Sequence, residues 1–560
     1  MIRRKIELCD TLKRFLAFGV CFFMLCSVRN VTLASDVPDA KQKPEEKSKV
    51  YLLHSDMLRY NQQEMPGVRI LNGDVRFRHN DVFMYCDSAH FYENENSFEA
   101  FRNVRMNQGD TLTLVGDYLF YDGNTQIAQV RRNVKMTHRQ SVLYTDSLNY
   151  DRLYDLGYFF EGGKLVDGDN VLVSDWGEYS PTTRMAVFNY NVTLTNPSFT
   201  LKSDTLQYNT LTKLAHIVGP SNIESGSSHI YSESGYYNTQ TERARLLDRS
   251  VVLNGESRLV GDSLFYDKLS GDMYAYNNVV YEDKVNKSIL TGNFCTYNEQ
   301  TGKALATDSA VARDFSNPAD TLFVHADTFR LFSYDLNTDT LYRVLHAYKH
   351  VRAFRTDIQA VCDSLVFGSK TKELIMYDNP IVWNARQQLL GEEIHVFMND
   401  STVDSVHVVN QALLAEELDS LHYNQIAGRL MKSYFEAGQI RMNQVIGNVQ
   451  IAYYPLDSDS LMIGLNRAET SEMRMFMKDK KMERIWTPPA TGVLYPLALA
   501  PADQLQLETF AWFDYIRPRD KYDIFEWRAK RSGTELKPTL RRQIPLQQLE
   551  KLKNKLEKDK

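Results

Sequence analysis

His346-Ala347-Tyr348-Lys349-His350 places two imidazoles four residues apart, the spacing at which a helix can hold a divalent metal. The motif lacks a general-base Glu, and the segment alternates like a strand, where the two rings stand roughly 13 Å apart at ~3.3 Å per residue. No metal site is expected there. A recurring Asp (Asp56, Asp87, Asp117, Asp146, Asp175, Asp204, Asp262) invites a calcium reading, but one carboxylate in every ~29 residues cannot crowd several oxygens round an ion. Each is expected to bond backbone N–H groups or to meet water at a strand edge, because a buried ladder of like charges is costly. Cys9, Cys21 and Cys26 lie in the first 34 residues; Cys86, Cys295 and Cys362 are too few and too far apart for a disulfide scaffold. Cys86 and Cys362 each open a Cys-Asp-Ser, so they read as small buried residues at equivalent places in a repeat. No phosphate-cradling glycine loop and no Ser/His/Asp ordering is present, and a pair of acids drawn from 71 carries no weight as a glycosidase. Neither enzyme chemistry nor a cofactor is expected.

The elements behind these residues are repetitive. A unit small–Asp–x–Leu–x–Tyr recurs as Ser55-Asp56-Met57-Leu58-Arg59-Tyr60, Cys86 to Phe91, Gly116-Asp117-Tyr118-Leu119-Phe120-Tyr121 and Thr145 to Tyr150. It returns at Asp175, Asp204, Glu233, Asp262 and Asn293, at a steady step of about 29 residues, then raggedly at Asp327, Asp363 and Glu392. A second motif, Asn–Val–x–apolar, falls between (Asn103-Val104, Asn133-Val134, Asn191-Val192, Asn278-Val279). Two alternating segments per unit, separated by turns such as Asp122-Gly123-Asn124, predict two strands and leave no room for a crossover helix. The chain is therefore expected to be all-β: an elongated antiparallel array of ~29-residue two-strand repeats. Counting from each Asp, the +2 and +4 positions hold Leu119 and Tyr121, Leu148 and Tyr150, Leu206 and Tyr208, Leu264 and Tyr266 on one face; the +1 and +3 positions give the other face to water.

The ends differ from the middle. Residues 1–34, with a basic start and an apolar run from Phe15 to Val28, read as an export signal cut near Ala34, too short to span a membrane. A polar linker covers 35–49, regular repeats 50–310 and degenerate repeats 311–485. Residues 486–560 form a tail with Pro488-Pro489, an aromatic cluster (Phe510, Trp512, Phe513, Tyr515) and a basic helix bearing Leu546, Leu549, Leu552 and Leu556 on one face. The whole chain carries −6 and the part after residue 34 carries −10, which argues against a nucleic-acid partner.

The alternation of Gly-Asp-x-Leu-x-Tyr-Asp (Gly116 to Asp122, Gly261 to Asp267) with Ala-x-x-x-x-Asn-Val-x-Met (Ala128 to Met136) resembles the OstA-like family, which includes LptA and the N-terminal domain of the translocon LptD. The resemblance is close over 50–310 and loose over 311–485. It implies a β-jelly roll, open along one edge, that carries the lipid A acyl chains of lipopolysaccharide across the periplasm of a Gram-negative type envelope. Other lipopolysaccharide-transport proteins at the inner and outer membranes, and further copies joined end to end, are the partners it implies. On that reading the +2/+4 rows carry the acyl chains, as a groove that removes the exposure cost of ~0.8 kcal/mol per methylene. Three alternatives stay open: the same rows fill a closed core, the chain is a β-repeat scaffold or surface adhesin without lipid cargo, or it is a carbohydrate-active β-helix enzyme, which the even recurrence of the acids disfavours.

Overall fold

A computed structural model describes residues 48–534 except 61, 62, 64, 317–319, 337, 400, 401, 460, 479, 480, 532 and 533. The export-signal segment 1–34, most of the linker and the leucine-spaced stretch Leu546–Leu556 lie outside the described residues. All elements below belong to the unit Val50–Lys560.

Thirty-eight strands and five three-residue 3-10 turns make up the secondary structure of the described residues, with no α-helix among them. The strands pair antiparallel with their chain neighbours, as Arg69–His79 with Val82–Tyr92, then Ser97–Gln108, Leu112–Asp122, Ile127–His138 and Ser141–Asp151. β-pairing continues to Thr491–Pro496.

Each long strand turns a corner at its middle. In the pairing of Ile127–His138 with Ser141–Asp151, Arg131 faces Ser147 and Val134 faces Thr145, so Arg132 and Asn133 together oppose Asp146. Both bulged residues are left-handed, with φ of 63° and 53°. The same pair of left-handed residues recurs at Arg102/Asn103, Tyr190/Asn191, Asn277/Asn278 and Lys349/His350. Asn adopts that region more readily than other residues with a side chain, which explains the Asn of the second motif.

The corners fold the sheet on itself. His79, Val82, Gln108, Leu112 and His138 form a paired row at one end of the ladder; Arg69, Phe91, Phe98, Tyr121, Ala128 and Tyr150 form a row at the other. On a flat sheet the two rows would stand about 30 Å apart. Instead His79 Nδ1 and Tyr121 Oη are hydrogen-bonded at 2.6 Å. The two halves of every strand therefore face each other across an apolar interior, which is a β-jelly roll.

Two differences from the sequence reading stand out. Leu58 and Tyr60 occupy inner-row positions yet are exposed, because Met57–Tyr60 is an edge strand paired only with Arg69–Asn72 and nothing packs over it. The outer face, expected to be wet throughout, is covered between Arg352 and Leu465: Val361, Ile381, Trp383, Leu390 and Leu465 are buried there under Leu507, Phe513 and Ile516 of the tail. The covering segment is an extended strap punctuated by 3-10 turns. Buried glutamines hold it. Gln425 Nε2 donates to Leu505 O and its Oε1 accepts from Leu507 N; Gln388 does the same with Ala511 O and Phe513 N, at 2.8–3.0 Å. Arg517 Nε donates to Gln359 Oε1 at 2.7 Å. Each glutamine amide thus stands in for a strand backbone.

Candidate functional site

The two sequence motifs meet at the corners. Asn103 Nδ2 donates to Asp87, Asn133 to Asp117, Asn191 to Asp175 and Asn278 to Asp262, always sixteen residues apart and at 2.6–2.8 Å. Asn133 N also donates to Asp146 Oδ1 at 3.1 Å, so one Asn links the Asp before it to the Asp after it. His350 takes the Asn place, with Nδ1 2.8 Å from Asp327 Oδ2, while His346 stacks on Tyr348 on the outer face. The constant spacing of sixteen was the signal for this pairing, and reading the motifs separately missed it. No group of His, Cys, Asp and Glu among the described residues has the geometry of a metal site.

The interior is the candidate site. Leu119, Tyr121, Leu148, Tyr150, Leu206, Tyr208 and Leu264 fall in one buried apolar cluster that runs from Val50 to Val279; Tyr266 is half-buried and outside it. Cys86 joins the same cluster, and burial pushes its thiol up to about 12, so it acts as a small apolar residue.

The tyrosine hydroxyls close the roll. Beyond the His79–Tyr121 contact, Tyr150 donates to Gln108 Oε1 at 3.2 Å and also bonds Asp155. His138 Nδ1 and Tyr179 Oη are 2.7 Å apart. Tyr208 donates to Asp167 Oδ2 at 2.7 Å and accepts from Asn170 Nδ2 at 3.0 Å, with Lys213 Nζ also on Asp167 at 2.6 Å. Apart from the local bond of Tyr150 to Asp155, these bonds span from one end of the ladder to the other. Burial and the adjacent carboxylates push the Tyr150 and Tyr208 hydroxyls far above the usual tyrosine range, so they stay protonated donors. The seam continues through the Phe199–Tyr237 ring contact and Ser198 Oγ to Glu242 Oε1 at 3.0 Å.

At Tyr266 it ends. Tyr266 donates to Glu299 at 3.1 Å, on the turn beside it. Forty-one residues before it, the interval at which Tyr179 and Tyr208 find their partners, stands Ser225, whose Oγ donates instead to Ser198 O at 3.0 Å. Past this point the interior is still apolar but partly open. A second buried cluster from Ala306 to Met473 is fringed by sixteen half-buried apolar residues, among them Leu290, Leu345, Phe367, Leu374, Val396 and Met475. Six of the eight inner-row residues named from sequence therefore lie in the sealed section, and Leu264 and Tyr266 stand at its mouth. The open section escaped the sequence reading because its repeats are degenerate.

The fold defines the class: an antiparallel β-jelly roll with an apolar interior. Residues 47–204 match the family described as OstA-like protein. The match lies within the sealed section. Among solved structures the chain is similar to the crystal structure of LptH, the LptA homologous periplasmic component of the conserved lipopolysaccharide transport device from Pseudomonas aeruginosa, at 20% identity over 18% of this chain and 75% of that one, with a TM-score of 0.17. No curated protein matches it. No helix among the described residues is long and apolar enough to cross a membrane.

Proposed function

We propose that the chain is a periplasmic lipopolysaccharide-transport component whose interior carries lipid A acyl chains, resting in the open section and passing the sealed one when the tyrosine seam parts. One observation supports this reading: the apolar lining runs on past Tyr266, where the tyrosine seam ends and sixteen apolar side chains packed against the second cluster are only partly buried. An ordinary core would close over such residues. Sheltering a dozen methylenes offsets on the order of 10 kcal/mol of exposure to water, and even repetition of the lining avoids a single trap. The Leu/Tyr pairs from Leu119 to Tyr266 are, on this reading, the wall that the chains slide along.

The ends suit the same role. Tyr51–His54 and Met57–Tyr60 at one end, and Lys481–Trp486 and Thr491–Pro496 at the other, are paired on one side only. Tyr51, Leu58, Trp486 and Leu494 are exposed there. Such edges fit strand-to-strand docking with another jelly roll, either of a second copy or of the transport proteins at each membrane.

Photo-crosslinking tests the cargo. A benzoylphenylalanine at Leu374 in the open section should capture lipopolysaccharide, whereas one at Glu373, on the opposite face, should not. Equal capture at both positions, or at neither in a folded protein, would leave a β-repeat scaffold.

A further inference from the structure

The strap has two faces. Its inner face buries Leu507, Phe513, Ile516 and Ile524 against the sheet. Its outer face presents Tyr522, Phe525 and Trp527 to solvent, with Tyr522 71% exposed. Lys521 is exposed with Nζ 5.1 Å from the Tyr522 ring centre; exposed Arg519 pairs with Asp514 at 2.6 Å, and exposed Arg531 lies 4.7 Å over the Tyr515 ring. The strap does not flap: the glutamine bonds above, the contact of Phe525 on His325 at 4.9 Å and the Asp523 carboxylate between Arg352 and Arg528 fix this surface on the sheet.

Charge sets the region apart. Residues 515–560 carry fourteen Lys/Arg against seven Asp/Glu, a net +7, while residues 35–514 carry −17. The described part of this stretch, 515–534, carries six Lys/Arg against three Asp/Glu, a net +3, and holds the three exposed aromatics of an otherwise acidic protein. Amphipathic rings with interleaved cations are the composition that settles at a bilayer surface, the rings among the headgroups and the cations on anionic phosphates. We infer that the outer face of the strap, centred on Lys521, Tyr522 and Trp527, docks the protein on an anionic phospholipid leaflet. This surface lies on the outer face of the sheet, away from the acyl-chain lining, so the inference stands independently of the cargo. The remaining acidic surface disfavours contact anywhere else and so sets the orientation.

Co-sedimentation with vesicles tests it, using the full-length protein at low and physiological salt. Vesicles of phosphatidylcholine mixed with an equal part of phosphatidylglycerol should bring the protein down, and phosphatidylcholine alone should not. Lys521→Glu with Tyr522→Ser should lower the partition coefficient at least about tenfold, with an unchanged thermal melt. Tyr154→Ser, an exposed aromatic far from the strap in sequence, should leave binding as it was. Equal binding to both vesicle types, no binding to either, or binding that survives the double substitution would each overturn the assignment; the last would place the contact beyond residue 534.

Discussion

At the residue scale the fold depends on a few side chains that serve two demands at once. Asn133 must hold φ at 53° and also bridge Asp117 and Asp146. Asn133→Val forfeits both and is expected to destabilise by about 2–3 kcal/mol in urea unfolding, whereas Asn133→Gly keeps the backbone region and should lose about 1 kcal/mol. The seam tyrosines permit a subtler change. Tyr208→Phe removes only the oxygen that Asp167 and Asn170 share, and should lower stability by about 1–3 kcal/mol while raising amide exchange along Phe199–Asn209. Exchange in the open section should stay as it was. Protonation acts in one direction. Burial holds His138, His325, His346 and His407 below the ordinary histidine value. On acidification the unfolded chain takes up those protons first, so their contribution is intact above about pH 6.5 and shrinks below it. The melting temperature should therefore fall between pH 7 and pH 5; a rise would contradict the burial of these rings.

Among the elements, the strands were legible and their corners were not. Two alternating segments per ~29 residues define an antiparallel array, and the +2/+4 rows do face inward from Leu119 to Leu264. The corner escaped because alternation assumes a straight strand, and only the fixed interval from each Asp to its Asn betrays a bulge. The strap is harder still. Its anchors are single glutamines, with Gln425 lying 80 residues before Leu505 and Gln388 lying 123 residues before Ala511, so no periodicity announces them. A Pro-punctuated aromatic stretch reads as a cap without revealing what it covers. Gln388→Leu should strand the Ala511 carbonyl and Phe513 N–H without partners in an apolar setting, at about 2–3 kcal/mol. Limited proteolysis should then cut within 497–531 well before the β-structure. Simultaneous loss of both would show that the strap and sheet fold as one.

For the molecule as a whole, the interior of the roll holds two apolar cores rather than one, beside the third cluster beneath the strap. The first spans Val50 to Val279 and the second Ala306 to Met473, with half-buried Cys295 packed against both. Only the first is laced by tyrosines. Urea unfolding followed by hydrogen exchange is expected to show two transitions, with 306–473 opening before 69–242, because repeat arrays lose cooperativity where the interface between neighbours is weak. A single coincident transition would mean that the strap restores what the missing seam removes.

The interval of sixteen residues between Asp and Asn has one more consequence. The bond it creates is settled within a pair of adjacent strands, so no corner needs to know how many others exist. Reach along the stacked strands then comes in fixed increments, two strands or about 9.6 Å per unit. A gene can lengthen or shorten such a span by copying or dropping one unit, with every remaining corner intact. Length is thereby recorded as a tally, and evolution can adjust it without redesigning a single corner.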